Sequence, residues 1–361
     1  MEIALKLAKQ GIGQVSPNPM VGCVIVYKDE IIGQGFHEQY GQPHAEVNAI
    51  ASIGDKALLK NSTIYVTLEP CSHFGKTPPC ADLIVKHKIP KVVIACIDTF
   101  SKVSGKGIEK LKAAGIDVTV GVLEKKAQEL NKRFFTFHNK KRPYIILKWA
   151  QTKDGFIDVD RSVVANIQEE NIEQYQKSED YLVTQNNAID NWITTPASKK
   201  LVHFWRSEEQ AILVGTNTAL NDNPKLTVRE TTGKNPLRVV LDLNLRLPAT
   251  LHLFDQSTPT LVFNYKKNET LENLEFIKID QTKKLTDEIL ALLHHRNIQS
   301  IIIEGGAQIL NTFIHQNLWD EARVFEGEKE FGSGLTAPST NKNPKYTLQI
   351  DSDNLSAFVN D

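Results

Sequence analysis

Four side chains near the start of the sequence have the types and order to do chemistry together. His44 and Glu46 stand in the triplet HAE, and Cys71 and Cys80, each preceded by proline, bound the stretch PCSHFGKTPPC. One imidazole and two thiolates are borderline-to-soft ligands of the kind that hold zinc, and three protein ligands leave a fourth tetrahedral position for water. An ion so bound lowers the pKa of that water to roughly 7. Glu46 is then spare as a ligand, and its carboxylate could take a proton from the water and hand it to a departing amine. The chemistry is hydrolytic removal of an amine. Two plainer readings stand beside it. An isolated His or Cys is usually a core residue, and a closed structural zinc site would take a fourth ligand, for which His73 is the near candidate.

Nucleobase deaminases that use zinc commonly space their cysteines two residues apart. Here eight residues intervene, so the match is to a less common form. Those residues must be positioned by a chain of 361 residues, long enough to predict two domains. Forty-two basic against 43 acidic residues leave a net charge of −1, so no global field favours nucleic acid. Four cysteines are too few for a disulfide scaffold, and Cys23 and Cys96 sit in the apolar runs VGCVIVY and KVVIACI as small hydrophobes. No basic-then-apolar leader opens the chain and no apolar run approaches membrane-spanning length, which predicts a cytoplasmic enzyme with no membrane partner.

Periodicity predicts helices over Glu2–Gln10, from His44 to about Ser52, over Ile108–Ala114, and, as one long amphipathic helix, over Glu124–Asn139. Strands are expected at Val21–Tyr27, Ile31–Phe36, Thr63–Leu68, Lys91–Ile97 and Asp117–Val120, with a rigid turn at Ser16-Pro17-Asn18-Pro19. Cys71 then falls where a strand gives way to loop and helix, and a helix N-terminus favours thiolate. The charged, proline-ended stretch Asn139–Pro143 marks a boundary, giving domains 1–141 and 142–361. Beyond it strands are expected at Tyr144–Ala150, Ala211–Val214, Leu237–Leu241, Thr260–Phe263 and Ser300–Ile303, and helices at Thr216–Leu220, Leu285–His294 and Ala307–His315. Strands alternating with helices predict α/β sheets covered on both faces. Arg161–Ala188, polar and without periodicity, is expected to be an exposed insertion.

The segments SPNPMVGCVIV, HAEVNAI and LEPCSHFGKTPPC resemble the first half of the bifunctional riboflavin-biosynthesis deaminase-reductases, and the eight-residue cysteine gap is characteristic of that family. LKWAQTKDG, WITTPASKKLVHFWR, ILVGTNTALNDNPKLTVR, PLRVVLD, IIIEGGAQIL and FGSG follow in the order of its reductase half, so the resemblance spans nearly the whole chain. It implies a cytidine-deaminase-like three-layer α/β/α domain followed by a dihydrofolate-reductase-like α/β domain. It further implies zinc-dependent deamination of a phosphoribosylaminopyrimidine, then NADPH-dependent reduction of the ribosyl group. The absence of a Gly-x-Gly-x-x-Gly motif after a strand argues independently against a Rossmann site.

Carried over by motif, Asn18, His37, His73, Lys76 and Asp98 match substrate contacts of the deaminase, Asp98 being followed here by Thr99-Phe100 in place of the family's Pro-Asn. Ala150, Trp192, Thr218, Asp222 and the run Gly306, Ala307, Gln308, Ile309, Leu310, Asn311 and Thr312 match NADPH contacts. Arg206, Leu226, Arg229 and Glu304 match contacts to the phosphorylated sugar, with the two arginines suited to forked bonds on a phosphate. Lys148, on the strand leading to the cofactor, is a candidate for hydride-step electrostatics. Asp190-Asn191 stands where relatives carry Gly-Glu-Ser, which implies a rebuilt or impaired corner of the reductase site. Related enzymes are dimers or tetramers, so a homo-oligomer is expected. Two rival classes remain: a nucleic-acid deaminase with an RNA-binding second half, disfavoured by the neutral charge, and a non-catalytic zinc-stabilised binding protein, in which Glu46 would have no use.

Overall fold

The computed structural model describes residues 1–72, 74, 78–99, 105–161 and 191–360. The chain divides into two units, Met1–Pro143 together with Leu293–Gln299, and Tyr144–Leu292 together with Ser300–Asp361. The change at Pro143 coincides with the charged stretch. The return of a short piece near residue 296 to the first unit is something no single linear boundary anticipates.

The first unit is built on a five-stranded sheet in the order β2-β1-β3-β4-β5, formed by β1 (Gly22–Tyr27), β2 (Glu30–Phe36), β3 (Thr63–Leu68), β4 (Lys91–Cys96) and β5 (Asp117–Val120). β1 runs antiparallel to both neighbours, whereas β3, β4 and β5 are parallel. The inner strands are runs of Val and Ile buried on both faces, as a sheet with helices on either side requires. Those helices are α1 (Glu2–Lys9), α2 (Ala45–Ala51), α3 (Cys80–Lys86), α4 (Lys106–Ala113), α5 (Glu124–Leu130) and α6 (Lys132–Lys140). One core joins Ile25, Ile50, Leu59, Ile64, Ile84, Ile94 and Leu111.

The single helix expected over Glu124–Asn139 is two, because Asn131 leaves the helical region at φ −103° and ψ 23°. Its buried side chain explains the break. Nδ2 donates to the Met20 carbonyl at 2.9 Å and Oδ1 accepts from the Met20 amide at 2.8 Å, so Asn131 serves the Met20 peptide as a partner strand would. Two buried hydrogen bonds, each typically worth about 1 kcal/mol net, outweigh one turn of helix continuity.

The second unit carries a ten-stranded sheet, β11-β12-β10-β9-β8-β13-β6-β14-β17-β16. Its members are β6 (Tyr144–Gln151), β8 (Ala211–Gly215), β9 (Leu237–Leu241), β10 (Thr260–Asn264), β11 (Glu269–Thr270), β12 (Leu274–Lys278), β13 (Ser300–Ile303), β14 (Glu321–Glu326), β16 (Tyr346–Ile350) and β17 (Asp353–Val359). β7 (Phe156–Val159) and β15 (Gly334–Thr336) form a separate antiparallel pair. From β12 to β14 all pairings are parallel, and the C-terminal strands β17 and β16 extend the sheet antiparallel. This unit also carries helices α7 (Pro196–Glu208), α8 (Thr216–Asp222) and α10 (Ala307–His315), and most of α9 (Leu285–His295), whose last three residues fall in the first unit.

The sequence reading left α7 unassigned, although Thr195-Pro196 is a helix-start signature: the Thr195 hydroxyl accepts the Ser198 amide at 3.4 Å and proline takes the first helical position. The antiparallel strands after residue 320 also went unassigned. No described helix is long and apolar enough to cross a membrane.

Backbone proximity sets how α1 lies on the sheet. A Cβ at Gly22 would fall 2.0 Å from the Ala4 carbonyl, so only glycine admits the helix at this spacing. Gly22→Ala is expected to lower stability by roughly 1–3 kcal/mol through overpacking. Gly54→Ala, where nothing lies within 4 Å, should change it by no more than about 0.5 kcal/mol. Denaturant midpoints of the two variants check the difference.

Candidate metal centre and nucleotide cradle

Three elements bring the expected ligands together. His44 is the N-cap of α2, in extended backbone at φ −72° and ψ 164°, so its ring swings off the helix start. β3 delivers Glu69-Pro70-Cys71 at its C-terminal end, and Cys80 is the first residue of α3. The His44 Nδ1 lies 3.6 Å from the Cys71 Sγ and 3.3 Å from the Cys80 Sγ, and all three ligand atoms fall within 4.8 Å of one another. A tetrahedral zinc with its usual bonds to sulfur and nitrogen separates such atoms by about 3.6 Å, so the donor set fits the ion in chemistry and in spacing. It is the one His/Cys/Asp/Glu cluster of this kind among the described residues.

The helix start that favours a thiolate belongs to Cys80 rather than Cys71, but Cys71 profits from it. Its sulfur accepts the Cys80 amide at 3.3 Å. The Cys80 thiol, the His44 ring and that amide together outweigh burial and hold the Cys71 thiol down at about 4, already a ligand anion at neutral pH. Glu46 stands two residues after His44, in the first turn of α2, where it is 3% exposed. Burial, reinforced by the Cys71 thiolate, pushes its carboxyl up to about 7.

Asn18 and His37 meet beside the metal ligands. The Asn18 Nδ2 sits 3.1 Å from the His37 Nε2, and the His37 ring lies edge-on to His44 with centroids 5.5 Å apart. His37 Nδ1 lies 3.0 Å from the Pro43 carbonyl, which can only accept, so Nδ1 carries the proton and Nε2 receives the Asn18 amide. Burial lowers the His37 pKa and keeps that neutral tautomer. Asn18 therefore spends one of its donors on His37 and retains its carbonyl oxygen for a ligand. Asp98 is buried just past β4. His73 and Lys76 lie outside the described residues.

The sequence reading passed over Glu69. It is buried at the end of β3, and its carboxylate accepts the amides of Asp98 (3.3 Å), Gly105 (3.0 Å), Gly107 (2.9 Å) and Ile108 (3.4 Å). The signal available was an acid placed directly before Pro-Cys where an apolar strand ends.

In the second unit the neighbouring parallel strands β8 and β13 end at two helix starts. Gly215 caps α8, and Gly305-Gly306 lead into α10 with φ of +108° and +54°. Positive φ requires glycine there, and a Cβ at Gly305 would also crowd Thr218 at 3.1 Å. Two helix N-termini at the carboxyl ends of adjacent parallel strands make a cradle suited to a dinucleotide's phosphates, so the residues fit NADPH. Of the run expected to touch it, Ala307, Ile309 and Leu310 are buried in the core beneath α10, and the Thr312 hydroxyl donates to the Gln308 carbonyl at 2.8 Å. Contacts from this helix are therefore left to the Gly306–Gln308 backbone and to the exposed Gln308 and half-buried Asn311 side chains. Trp192 is exposed, with Lys199 over its ring at 5.6 Å, and Asp222 pairs with Arg161 at 3.5 Å. Ala150 is half-buried on β6.

The expected pair of open arginine forks is not what the fold presents. Arg206 turns its fork on Glu304, through Nε at 3.2 Å and Nη2 at 2.6 Å. Burial would raise the Glu304 carboxyl, but Arg206 and Lys148 outweigh it and hold it at about 2. Lys148 is pulled down by burial and held up by Glu304. Arg229 is the exposed guanidinium, with Nη1 bonded to the Thr227 hydroxyl at 3.1 Å. Its amide donates to His203 Nδ1 at 3.1 Å, and Leu226, at φ +54°, is buried. Asp190 and residues 162–188 of the expected insertion lie outside the described residues, so its rebuilt corner does too.

Known proteins align with both halves. A family profile described as the cytidine and deoxycytidylate deaminase zinc-binding region matches residues 1–96, and one described as the RibD C-terminal domain matches residues 143–361. The riboflavin biosynthesis protein RibD of Aquifex aeolicus is 41% identical over 93% of this chain and 88% of its own length. A diaminohydroxyphosphoribosylaminopyrimidine deaminase/5-amino-6-(5-phosphoribosylamino)uracil reductase from Thermotoga maritima superposes with a TM-score of 0.83 at 36% identity, covering 100% of this chain and 97% of that one. Acinetobacter baumannii RibD gives a TM-score of 0.81 at 31% identity over 99% and 97% of the two chains. With profile matches to both halves and this identity sustained along almost its full length, the chain belongs to the RibD family of riboflavin biosynthesis proteins.

Proposed function

We propose that the chain carries out two successive steps of riboflavin biosynthesis. Residues 1–141 remove the 2-amino group of 2,5-diamino-6-(5-phosphoribosylamino)pyrimidin-4-one as ammonia. Residues 142–361 then reduce the ribosyl side chain with NADPH, giving 5-amino-6-(5-phosphoribitylamino)uracil. The observation that carries the first step is the convergence of His44, Cys71 and Cys80 with a buried Glu46 two residues after His44. That arrangement answers the non-catalytic rival, since a purely structural centre has no need of a raised carboxyl beside it, and the match of residues 143–361 to the RibD C-terminal domain counts against an RNA-binding second half.

His44, Cys71 and Cys80 would hold the zinc. Zinc bound there supplies an activated water at neutral pH. Glu46 would take one proton from the attacking water and pass it to the ring nitrogen, then carry the remaining hydroxyl proton to the amine as the carbon–nitrogen bond breaks and ammonia leaves. A carboxyl poised near neutrality can do both. Asn18 and His37 would hold the pyrimidine edge, Asp98 would be a further substrate contact, and by the family resemblance His73 and Lys76 of the cysteine gap would contact the substrate, Lys76 as a point charge for its phosphate. In the reductase, NADPH bound on the cradle supplies the hydride. Thr218, Trp192 and Asp222 flank it, Lys148 and Glu304 face the reacting sugar, and Arg229 meets its phosphate. Arg206 orients Glu304. The ligands must stay reduced, and Cys23, Cys71, Cys80 and Cys96 are all free thiols, which suits a cytoplasmic enzyme. From the family resemblance we expect a homo-oligomer, dimer or tetramer, acting on a small molecule and not on nucleic acid.

Four outcomes test this reading. Glu46→Gln should cut ammonia release about 10²- to 10⁴-fold while one zinc per chain is retained, measured by a coupled ammonia assay and metal analysis. Because Glu46 must start ionised, release falls as the pH drops through its pKa. That carboxyl stands at about 7 without metal, and an adjacent dication lowers it, so the acid limb of the zinc enzyme should lie below 7. Removing zinc with a chelator should abolish ammonia release yet leave NADPH oxidation of the deaminated substrate unchanged. In the second unit, Glu304→Gln leaves a buried Arg206 unpaired and should cost about 3–5 kcal/mol. The wild-type pair's contribution is present above a pH of about 4.5 and fades as pH falls toward about 2, readable in denaturation midpoints across pH.

A further inference from the structure

We infer that Glu69 is a positioning residue for the metal centre, fixing the Pro70–Cys71 turn so that the Cys71 sulfur reaches the coordination sphere. The inference rests on reading His44, Cys71 and Cys80 as the zinc ligands. Glu69 stands two residues before Cys71, and neither carboxylate oxygen is spare. Oε1 takes the amides of Gly107 and Ile108 at the start of α4, and Oε2 takes those of Asp98 and Gly105. The start of α4 is thereby drawn against the turn so closely that a Cβ on Gly107 would fall 2.0 Å from the Pro70 carbonyl. α4 also grips the other thiol's element, since Lys110 pairs with Asp82 on α3, two residues after Cys80. The Cys71 carbonyl closes the ring by accepting the Ala81 amide at 3.1 Å. Both sulfur-bearing segments are thus braced against one short helix, and Glu69 is the group that ties that helix to the Cys71 side.

Only a carboxylate can fill this place. Glutamine offers one carbonyl oxygen, so whichever way it turns its NH₂ must face two backbone N–H groups. The Asp98 amide hangs on the same oxygen as Gly105, so the substrate-side strand end and the Cys71 turn share one support.

The test is zinc affinity, measured on the full chain by competition with a chromogenic chelator. Glu69→Gln should weaken zinc binding about 10- to 100-fold, as loss of a group that orients a ligand does, with NADPH oxidation of the deaminated substrate unchanged. Gly107→Ala, whose Cβ would meet the Pro70 carbonyl at 2.0 Å and the Glu69 Oε1 at 3.2 Å and so push α4 off both, should weaken zinc in the same direction. If Glu69 only stabilised the fold, the variants would lower the metal-free melting midpoint and leave the zinc dissociation constant unchanged, and that result overturns the inference. A measurement on the wild type needs no variant: zinc should slow hydrogen exchange at the Gly107 and Ile108 amides, because coupling between two sites is reciprocal. Equal exchange with and without zinc also overturns it. Wild-type protein that fails to take up zinc would instead overturn the ligand assignment underneath.

Discussion

An ion shared by one imidazole and two sulfurs tolerates errors of only a few tenths of an ångström, and here the three donors come from segments that have no local reason to meet. His44 caps one helix, Cys71 leaves a strand and Cys80 starts another helix. Sheet register settles most of this. Parallel pairing of β3 with β4 sets where β3 ends, and Gly22, Gly33 and Gly35 let α1 and α2 lie on β1 and β2 at backbone distance. What remains is turn geometry, and there buried polar groups do what apolar packing cannot, since hydrogen bonds are directional while hydrophobic contact is not.

The same division of labour runs through the centre. Burial raises Glu46 toward neutrality, where a group can both accept and release a proton, and burial also keeps His37 neutral. Cys71 moves the other way because hydrogen-bond donors converge on its sulfur. Neighbouring groups under one sheet edge thus reach different protonation states through different local causes. That separation lets one site present a ligand anion, a neutral hydrogen-bonding ring and a proton carrier at one pH.

In the second unit electrostatics and backbone geometry play the corresponding parts. Glu304, at the end of β13, is held ionised by Arg206 and Lys148, and the glycines that follow adopt conformations no other residue would take cheaply. A buried carboxylate stabilised in this way is rigid and charged, at the mouth of two helix N-termini. The arrangement commits Arg206 to the protein and leaves Arg229, on the loop after Leu226, as the arginine turned outward.

The residues that could hold metal and move a proton were legible in sequence because their types and spacing have few other uses: His-x-Glu, then two Pro-Cys pairs. The strand-helix alternation and most of the central strands were legible too, since apolar periodicity is a local property. Three features were not. The helix break at Asn131 depends on Met20, more than a hundred residues earlier. The engagement of Arg206 with Glu304 depends on α7 crossing the end of β13. The role of Glu69 depends on amides some thirty to forty residues later in the chain. Each is a polar group satisfied at long range, and a chain's local pattern shows that a polar residue will be buried without showing which partner awaits it. Composition and spacing determined the chemistry available to this protein; which carboxylates and guanidinium groups remain open to a substrate was decided only when the sheets assembled.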